Sequence, residues 1–196
     1  MQVVLLDHSR LDEASAVLAR AFHDDPAWVW LIPDAARRRR VLPWLFRIGF
    51  DVTAADVWAT AGAVEGVARW LPPGRAPMKI APTLLALLQT PLRLRRATGP
   101  FLAYGRAVEL LRAEVAPGAH WYLAGIGVDP PAQRRGVGGA LLEPGLTAAA
   151  RANLPAVLLT NNAGNLSFYR RHGFEVVREG ETPRNGPRAW AMVKPP

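Results

Sequence analysis

The chain has 196 residues, half of them apolar and a fifth charged, which suits one well-buried domain of ordinary globular composition. It has no cysteine and four scattered histidines without metal-binding spacing, so disulfides, a thiol nucleophile and thiolate metal sites are excluded and no catalytic metal is expected. The formal charge of +8 comes from arginine, Lys79 and Lys194 being the only lysines. No zinc-finger, RNP or helix-turn-helix pattern accompanies that charge, so nucleic acid is not the expected partner. The run Arg37–Arg40 reads instead as a solvated basic surface. No apolar run approaches the roughly 18 to 20 residues of a membrane span. The opening MQVVLLDHSR meets acidic and polar residues too early for a secretory signal, and a cytoplasmic protein without a membrane partner is expected.

QVVLL (2–6) reads as a first strand. The next stretch has apolar residues at 11, 14, 17, 18, 21 and 22, which is helical spacing, and Ser9 with Asp12 resembles a capping box. HDDPAW breaks that helix at Pro26, and a second is predicted over 35–52. DVWAT (56–60) and VEGVARWL (64–71) read as two strands closed by the breaker PPG. Helix is predicted around 82–90 up to Pro91 and again over 101–115, as a pair packed on the domain rather than a lid. HWYLAGIGV (120–128) and PAVLLTN (155–161) are strands, and VGGALLEPGLTAAARA between them is helical in composition with Pro144 inside it. NLSFYRRHGF has a short helix that Asn165 can cap and Gly173 can end, and FEVVRE and PRAWAMV close the chain as strands. This order predicts a mixed α/β fold as a single domain, with 1–118 and 119–196 as its halves.

The stretch QRRGVGGAL (133–141) places glycines where a helix begins, although each glycine inside a helix costs about 1 kcal/mol against alanine. A helix start carries free N–H groups and the positive end of the dipole, so a bare backbone there can receive an anion. Arg134 and Arg135 add charge beside it. The stretch is not a P-loop, which would end in GK[ST]. Nor is it a dinucleotide fingerprint, because the sixth positions after Gly136 and Gly125 are Leu141 and Pro130. What remains is QxxGxG at the end of a strand.

In that form VDPPAQRRGVGGALL resembles the acetyl-CoA pyrophosphate motif of GNAT-type N-acetyltransferases. NLSFYRRHGF resembles the second motif of the same family. Details such as WLPPG, HWYL, EPG inside the helix and GPRAW look most like the branch that contains puromycin N-acetyltransferase. The resemblance implies a mostly antiparallel central sheet, splayed at the cofactor site and flanked by helices. It also implies acetyl-CoA as the acetyl donor and a small-molecule amine as the acceptor; a homodimer is compatible with it.

The same resemblance assigns the pantetheine arm of acetyl-CoA to the backbone of Ile126, Gly127 and Val128. Gly127 reads equally as a packing or bulge position. The pyrophosphate falls to the stretch Gln133, Arg134, Arg135, Gly136, Val137, Gly138, Gly139 and Ala140. Asn165 would hydrogen-bond the cofactor arm, although a helix cap explains it as well. Tyr169 reads as a core tyrosine on spacing alone; the resemblance makes it the general acid that protonates the leaving sulfur. His172, in a helix's last turn, suits the dipole. Leu159 stands where relatives often carry an acid, so the base is open among Asp24, Asp25, Glu65, Glu109 and His120. Direct transfer in a ternary complex is the expected chemistry. A protein amine as acceptor, or a non-catalytic acetyl-CoA-binding sensor, are the alternatives.

Overall fold

The computed structural model describes residues 1–74 and 80–196, without the side chains of 80–85 and 87. Among these residues seven strands form one sheet: β1 (Val3–Leu5), β2 (Asp56–Thr60), β3 (Gly66–Leu71), β4 (Trp121–Val128), β5 (Ala156–Thr160), β6 (Glu175–Glu181) and β7 (Arg188–Lys194). Their order is β1-β2-β3-β4-β5-β7-β6, and every neighbouring pair is antiparallel except β4–β5. That parallel pair touches only from Trp121 to Leu123 against Ala156 to Leu158. Beyond Leu123 the edge of β4 that faces β5 has no strand partner, while its other edge stays paired with β3 as far as Val128. The sheet is therefore splayed where the sequence resemblance predicts a cofactor.

Among the described residues seven α-helices cover the sheet: α1 (Leu11–Ala21), α2 (Pro26–Leu31), α3 (Ala35–Val52), α4 (Ile80–Leu94), α5 (Thr98–Val115), α6 (Val137–Arg151) and α7 (Leu166–Arg171). On one face Leu18 of α1 and Leu42 and Phe46 of α3 bury against Ala59 and Val67. On the other Leu141 and Leu142 of α6 bury with Trp70, Leu123, Leu158, Phe174 and Met192. Alternation along β3 sends Val67 to the first core and Ala68 and Trp70 to the second.

Several local expectations are corrected. The first turn is a 3-10 turn over His8–Arg10, capped by Asp7, which accepts the amide of Ser9 at 2.8 Å; Ser9 and Asp12 form no capping box. Asp25 caps α2 with Pro26 at its first position, where the missing N–H costs nothing. Helix α4 runs through Pro91, and the break falls instead at Arg95, whose φ is +52°. The arginine run is only half solvated. Arg38 is buried and donates to the carbonyls of His23, Ile32 and Pro33, tying the turn before α2 to α3. Arg37 reaches the carbonyl of Leu94, leaving Arg39 and Arg40 exposed.

The EPG inside α6 has a packing cause. A Cβ on Gly145 would lie 2.1 Å from the indole of fully buried Trp70, so only glycine lets the helix lie on β3 here. Pro144, one residue earlier, leaves the carbonyl of Ala140 without its helical donor.

Candidate active site

A cleft of about 790 Å³ opens at the splay. Its walls are the end of β4, the loop and first turn of α6, one side of α7, and the corner between α1 and α2. The loop is shaped by two residues in the left-handed region, Arg134 at φ +62° and Gly136 at φ +83°. Gly136 is the residue before the helix, and the first intrahelical bond is Ala140 N–H to its carbonyl at 3.2 Å. The amides of Val137, Gly138 and Gly139 thus have no intrahelical acceptor, as at any helix start.

The glycines have two distinct reasons. Gly136 supplies a left-handed turn that side chains rarely adopt. Gly138 and Gly139 let α7 come close: added Cβ atoms would stand 3.1 Å from the Phe168 ring and 3.2 Å from the His172 ring. Both still line the cleft, with Gln133, Arg134 and Gly136. Arg135 turns away and pairs with Glu65 at 3.3 Å. The Val137 side chain is buried in the core, and Ala140 does not line the cleft. None of these three residues lines the cleft.

Ile126, Gly127 and Val128 form the β4 wall of the cleft. Gly127 is a packing position, since a Cβ there would meet Leu18 and Ala21 of α1 at 2.9 Å. The register shift between β3 and β4 lies at Arg69 and Trp70 instead. Gln133 donates its side-chain amide to the carbonyl of Val128 at 3.1 Å, fixing the loop to the strand. Asn165 makes no side-chain capping bond; Asn162 does that work by accepting the Gly164 amide at 2.9 Å. Relieved of the cap, Asn165 faces the cleft.

A second cavity, of about 210 Å³, lies on the α1 and α3 side of the sheet and shares Phe22, Asp25, Ile126, Asn165 and Tyr169 with the first. Tyr169 is buried between Phe168 and Phe174, and burial followed by the charge of Asp25 pushes its phenol well above the usual tyrosine range. It stays protonated at neutral pH. Asp25 accepts the Ala27 amide at 3.0 Å, yet burial outweighs its backbone bonds and raises its carboxyl above the ordinary value. Of the five candidate bases, Asp25 alone lines both cavities. Asp24 is exposed at the rim of the larger one. Glu65 pairs with Arg135, Glu109 with Arg112, and His120 sits beside Arg112 and the Gly118 carbonyl. Leu159 lines the second cavity as an apolar wall.

Sequence reasoning left two further wall residues unnoticed. Tyr104 donates to Asn161 Oδ1 at 2.5 Å, and Asn161 in turn donates to the carbonyl of Arg188 at 2.8 Å, which locks that end of the cavity. Arg69 is the other. Alternation within VEGVARWL already placed an arginine on the same face as Val67, and that was the available signal.

A larger cleft thus opens on a smaller, more enclosed cavity across shared walls. Residues 87–174 match the acetyltransferase (GNAT) family. The whole chain shares its fold with a Corynebacterium glutamicum structure described as histone acetyltransferase HPA2 and related acetyltransferase. That match has a TM-score of 0.68 and 22% identity, covering 100% of this chain and 96% of that one. Mosquito arylalkylamine N-acetyltransferase like 5b matches at a TM-score of 0.59 and 12% identity, covering both chains completely at 100% and 100%. Chaetomium thermophilum Naa20, in complex with a bisubstrate analogue, matches at 0.53 and 15%, covering 100% of this chain and 86% of that one. The stretch 87–174 is thus similar to the acetyltransferase (GNAT) family, and the chain as a whole shares the fold of these solved acetyltransferases. Among the described residues no helix is long and apolar enough to cross a membrane, and no cluster of metal-ligating side chains occurs.

Proposed function

We propose that the protein acetylates the primary amine of a small molecule, by direct attack with donor and acceptor bound together. The observation that carries this reading is the meeting of the two cavities at Asp25 and Tyr169. The larger cleft fits the donor. The unpaired edge of β4 at 126–128 offers backbone partners to the amides of an extended arm, and Asn165 stands beside it. The free amides at the start of α6, with Arg134, suit a pyrophosphate. When bound, acetyl-CoA supplies an acetyl group activated as a thioester.

The chain's own groups then handle protons. The acceptor arrives as an ammonium, and Asp25 takes its proton to free the nitrogen lone pair. As the nitrogen–carbon bond forms and the carbon–sulfur bond breaks, the Tyr169 hydroxyl gives its proton to the departing sulfur. The second proton that the nitrogen sheds on becoming an amide restores the phenol. Holding both reactants in adjoining cavities removes much of the entropic cost of their encounter.

The second cavity, at about 210 Å³, is smaller than the roughly 300–1,000 Å³ typical of drug-sized ligand pockets, which supports a small acceptor. The test is free-thiol release from acetyl-CoA over a panel of primary amines, puromycin included because of the motif resemblance. Asp25→Asn and Tyr169→Phe should each lower kcat by about 10²-fold. Acetyl-CoA affinity, measured by calorimetry, should stay within about twofold of wild type if these groups move protons rather than hold the donor. Turnover only with peptide amines would shift the acceptor class. Tight donor binding without turnover of any amine would favour a non-catalytic acetyl-CoA sensor.

A further inference from the structure

We propose that the amine acetylated by this protein also carries a carboxylate, and that Arg69 holds it on the wall of the second cavity. The proposal rests on the acetyl-transfer reading above and names the acceptor's chemistry.

Arg69 rises from β3, opposite Gly125 of β4 in the register, and lines the second cavity but not the donor cleft. It is 9% exposed. Its Nη2 donates to two neutral oxygens, the Gly49 carbonyl at 2.9 Å and Thr53 Oγ1 at 2.6 Å. The guanidinium lies over the Phe50 ring, 5.1 Å from its centroid. Its Nε is buried and has no hydrogen-bond partner. Among the described residues no carboxylate pairs with it.

Other arginines of this chain are treated differently. Arg20 holds Asp129, Arg47 holds Asp12 and Asp51, and Arg112 holds Glu109. Buried Arg38 makes three bonds to carbonyls and lies 3.5 Å from Asp24. A buried cation without an anion is costly, and removing either member of a buried pair leaves the other strongly destabilising. Burial lowers the Arg69 pKa to about 10, so the group still carries its charge at neutral pH. A ligand carboxylate would complete it with the bidentate geometry a guanidinium favours.

The charges are ordered along the cavity. Asp25 stands where the cavity joins the donor cleft, so the acceptor's ammonium belongs at that end. Arg69 belongs to the second cavity alone, which sets the anionic group away from the acetyl donor. Trp28, Phe46, Tyr104 and Tyr122 supply aromatic walls between and around them. A Cβ on Gly125 would meet nothing within 4 Å, so packing does not require that glycine; it leaves room on the strand facing Arg69. The acceptor is thus an amino-carboxylate with a compact apolar or aromatic body.

The test compares amines with and without the carboxylate: phenylalanine against phenethylamine, and 4-(aminomethyl)benzoate against benzylamine. The two pairs place the anion at different distances from nitrogen. In the wild type, at least one carboxylate-bearing member should exceed its partner in kcat/KM by on the order of 10²-fold, as a site built to pair a polar group rejects the analogue lacking it. Arg69→Met should reduce that ratio below about fivefold, with Arg69→Lys between, while acetyl-CoA affinity holds within about twofold. Gly125→Val should weaken the carboxylate-bearing amines in KM without moving donor affinity. A thermal shift with N-acetylphenylalanine, N-acetylphenethylamine, N-acetylated 4-(aminomethyl)benzoate and N-acetylbenzylamine, without acetyl-CoA, reads binding independently of turnover. The acids should stabilise the wild type and not Arg69→Met.

Equal or better use of the decarboxylated amines by the wild type overturns the proposal. So does failure of any carboxylate-bearing amine or its product to bind or react. Binding of the acids without turnover of any amine would overturn the transfer reading and leave the Arg69 assignment standing.

Discussion

The Asp25 carboxylate accepts the Ala27 amide as the N-cap of α2 while it stands at the junction of two cavities. Capping alone would be served as well by asparagine. The carboxyl is held above its ordinary range because burial disfavours its charge, with its two backbone bonds offsetting only part of that. A carboxyl raised on folding binds more protons in the native state than in the unfolded chain. Its contribution to stability is therefore present below the unfolded value of 3.8 and lost as pH rises through the folded one. Asp25→Asn should raise Tm at neutral pH, and the gain should shrink as the pH falls through the folded pKa toward 3.8. Differential scanning calorimetry at several pH values reads this. An Asn variant less stable than wild type at neutral pH would mean that the charge is supported, and that burial is not its dominant environment. A more stable variant with lower turnover would mark a site where activity is kept at the expense of stability.

Elements differ in how much a glycine matters to them. Gly145 of α6 faces the Trp70 indole at a distance that no Cβ tolerates, so Gly145→Ala should cost at least about 3 kcal/mol through overpacking. Gly105 of α5 meets nothing within 4 Å, so Gly105→Ala should stabilise by about 0.5 to 1 kcal/mol through helix propensity. Chemical denaturation of the two variants checks both signs at once. The elements themselves were legible where period and length were strong. Helical spacing marked α1, and the breaker PPG bounded the strand pair β2 and β3. Helix α2 was missed because six residues hold too few turns to show a period. Pro91 was read as a stop, yet a proline removes only one donor and clashes with one carbonyl, and α4 continues past it to Leu94. The cap at α7 was assigned to Asn165, whereas the 3-10 turn before it put Asn162 in that place. The glycine-rich start of α6 was visible as a motif. Asp25 was legible only as one of five candidate bases and Arg69 not at all, because the fold brings both to one cavity and no sequence spacing records that.

On the scale of the whole molecule, the splay between β4 and β5 divides the labour. The half that carries α6 and α7 builds the cleft proposed for the donor, and the half that carries α1, α2 and α3 closes the second cavity over the other side of the sheet. One free strand edge links them, since β4 is paired on its β3 side to Val128 but on its β5 side only to Leu123. An open edge exchanges its amide hydrogens readily, and a bound arm with its own amides protects them as an added strand would. Acetyl-CoA should therefore slow hydrogen exchange in peptides that cover 125–128 and 134–139, and leave those covering β1 and β2 nearly unchanged. Mass spectrometry with and without acetyl-CoA reads this directly. Protection confined to 134–139 would mean that the cleft takes the pyrophosphate without laying the arm along β4, and the acetyl group would then be misplaced for Tyr169. Protection of both stretches puts the thioester end of the arm beside Asp25 and Tyr169, where the second cavity delivers the amine.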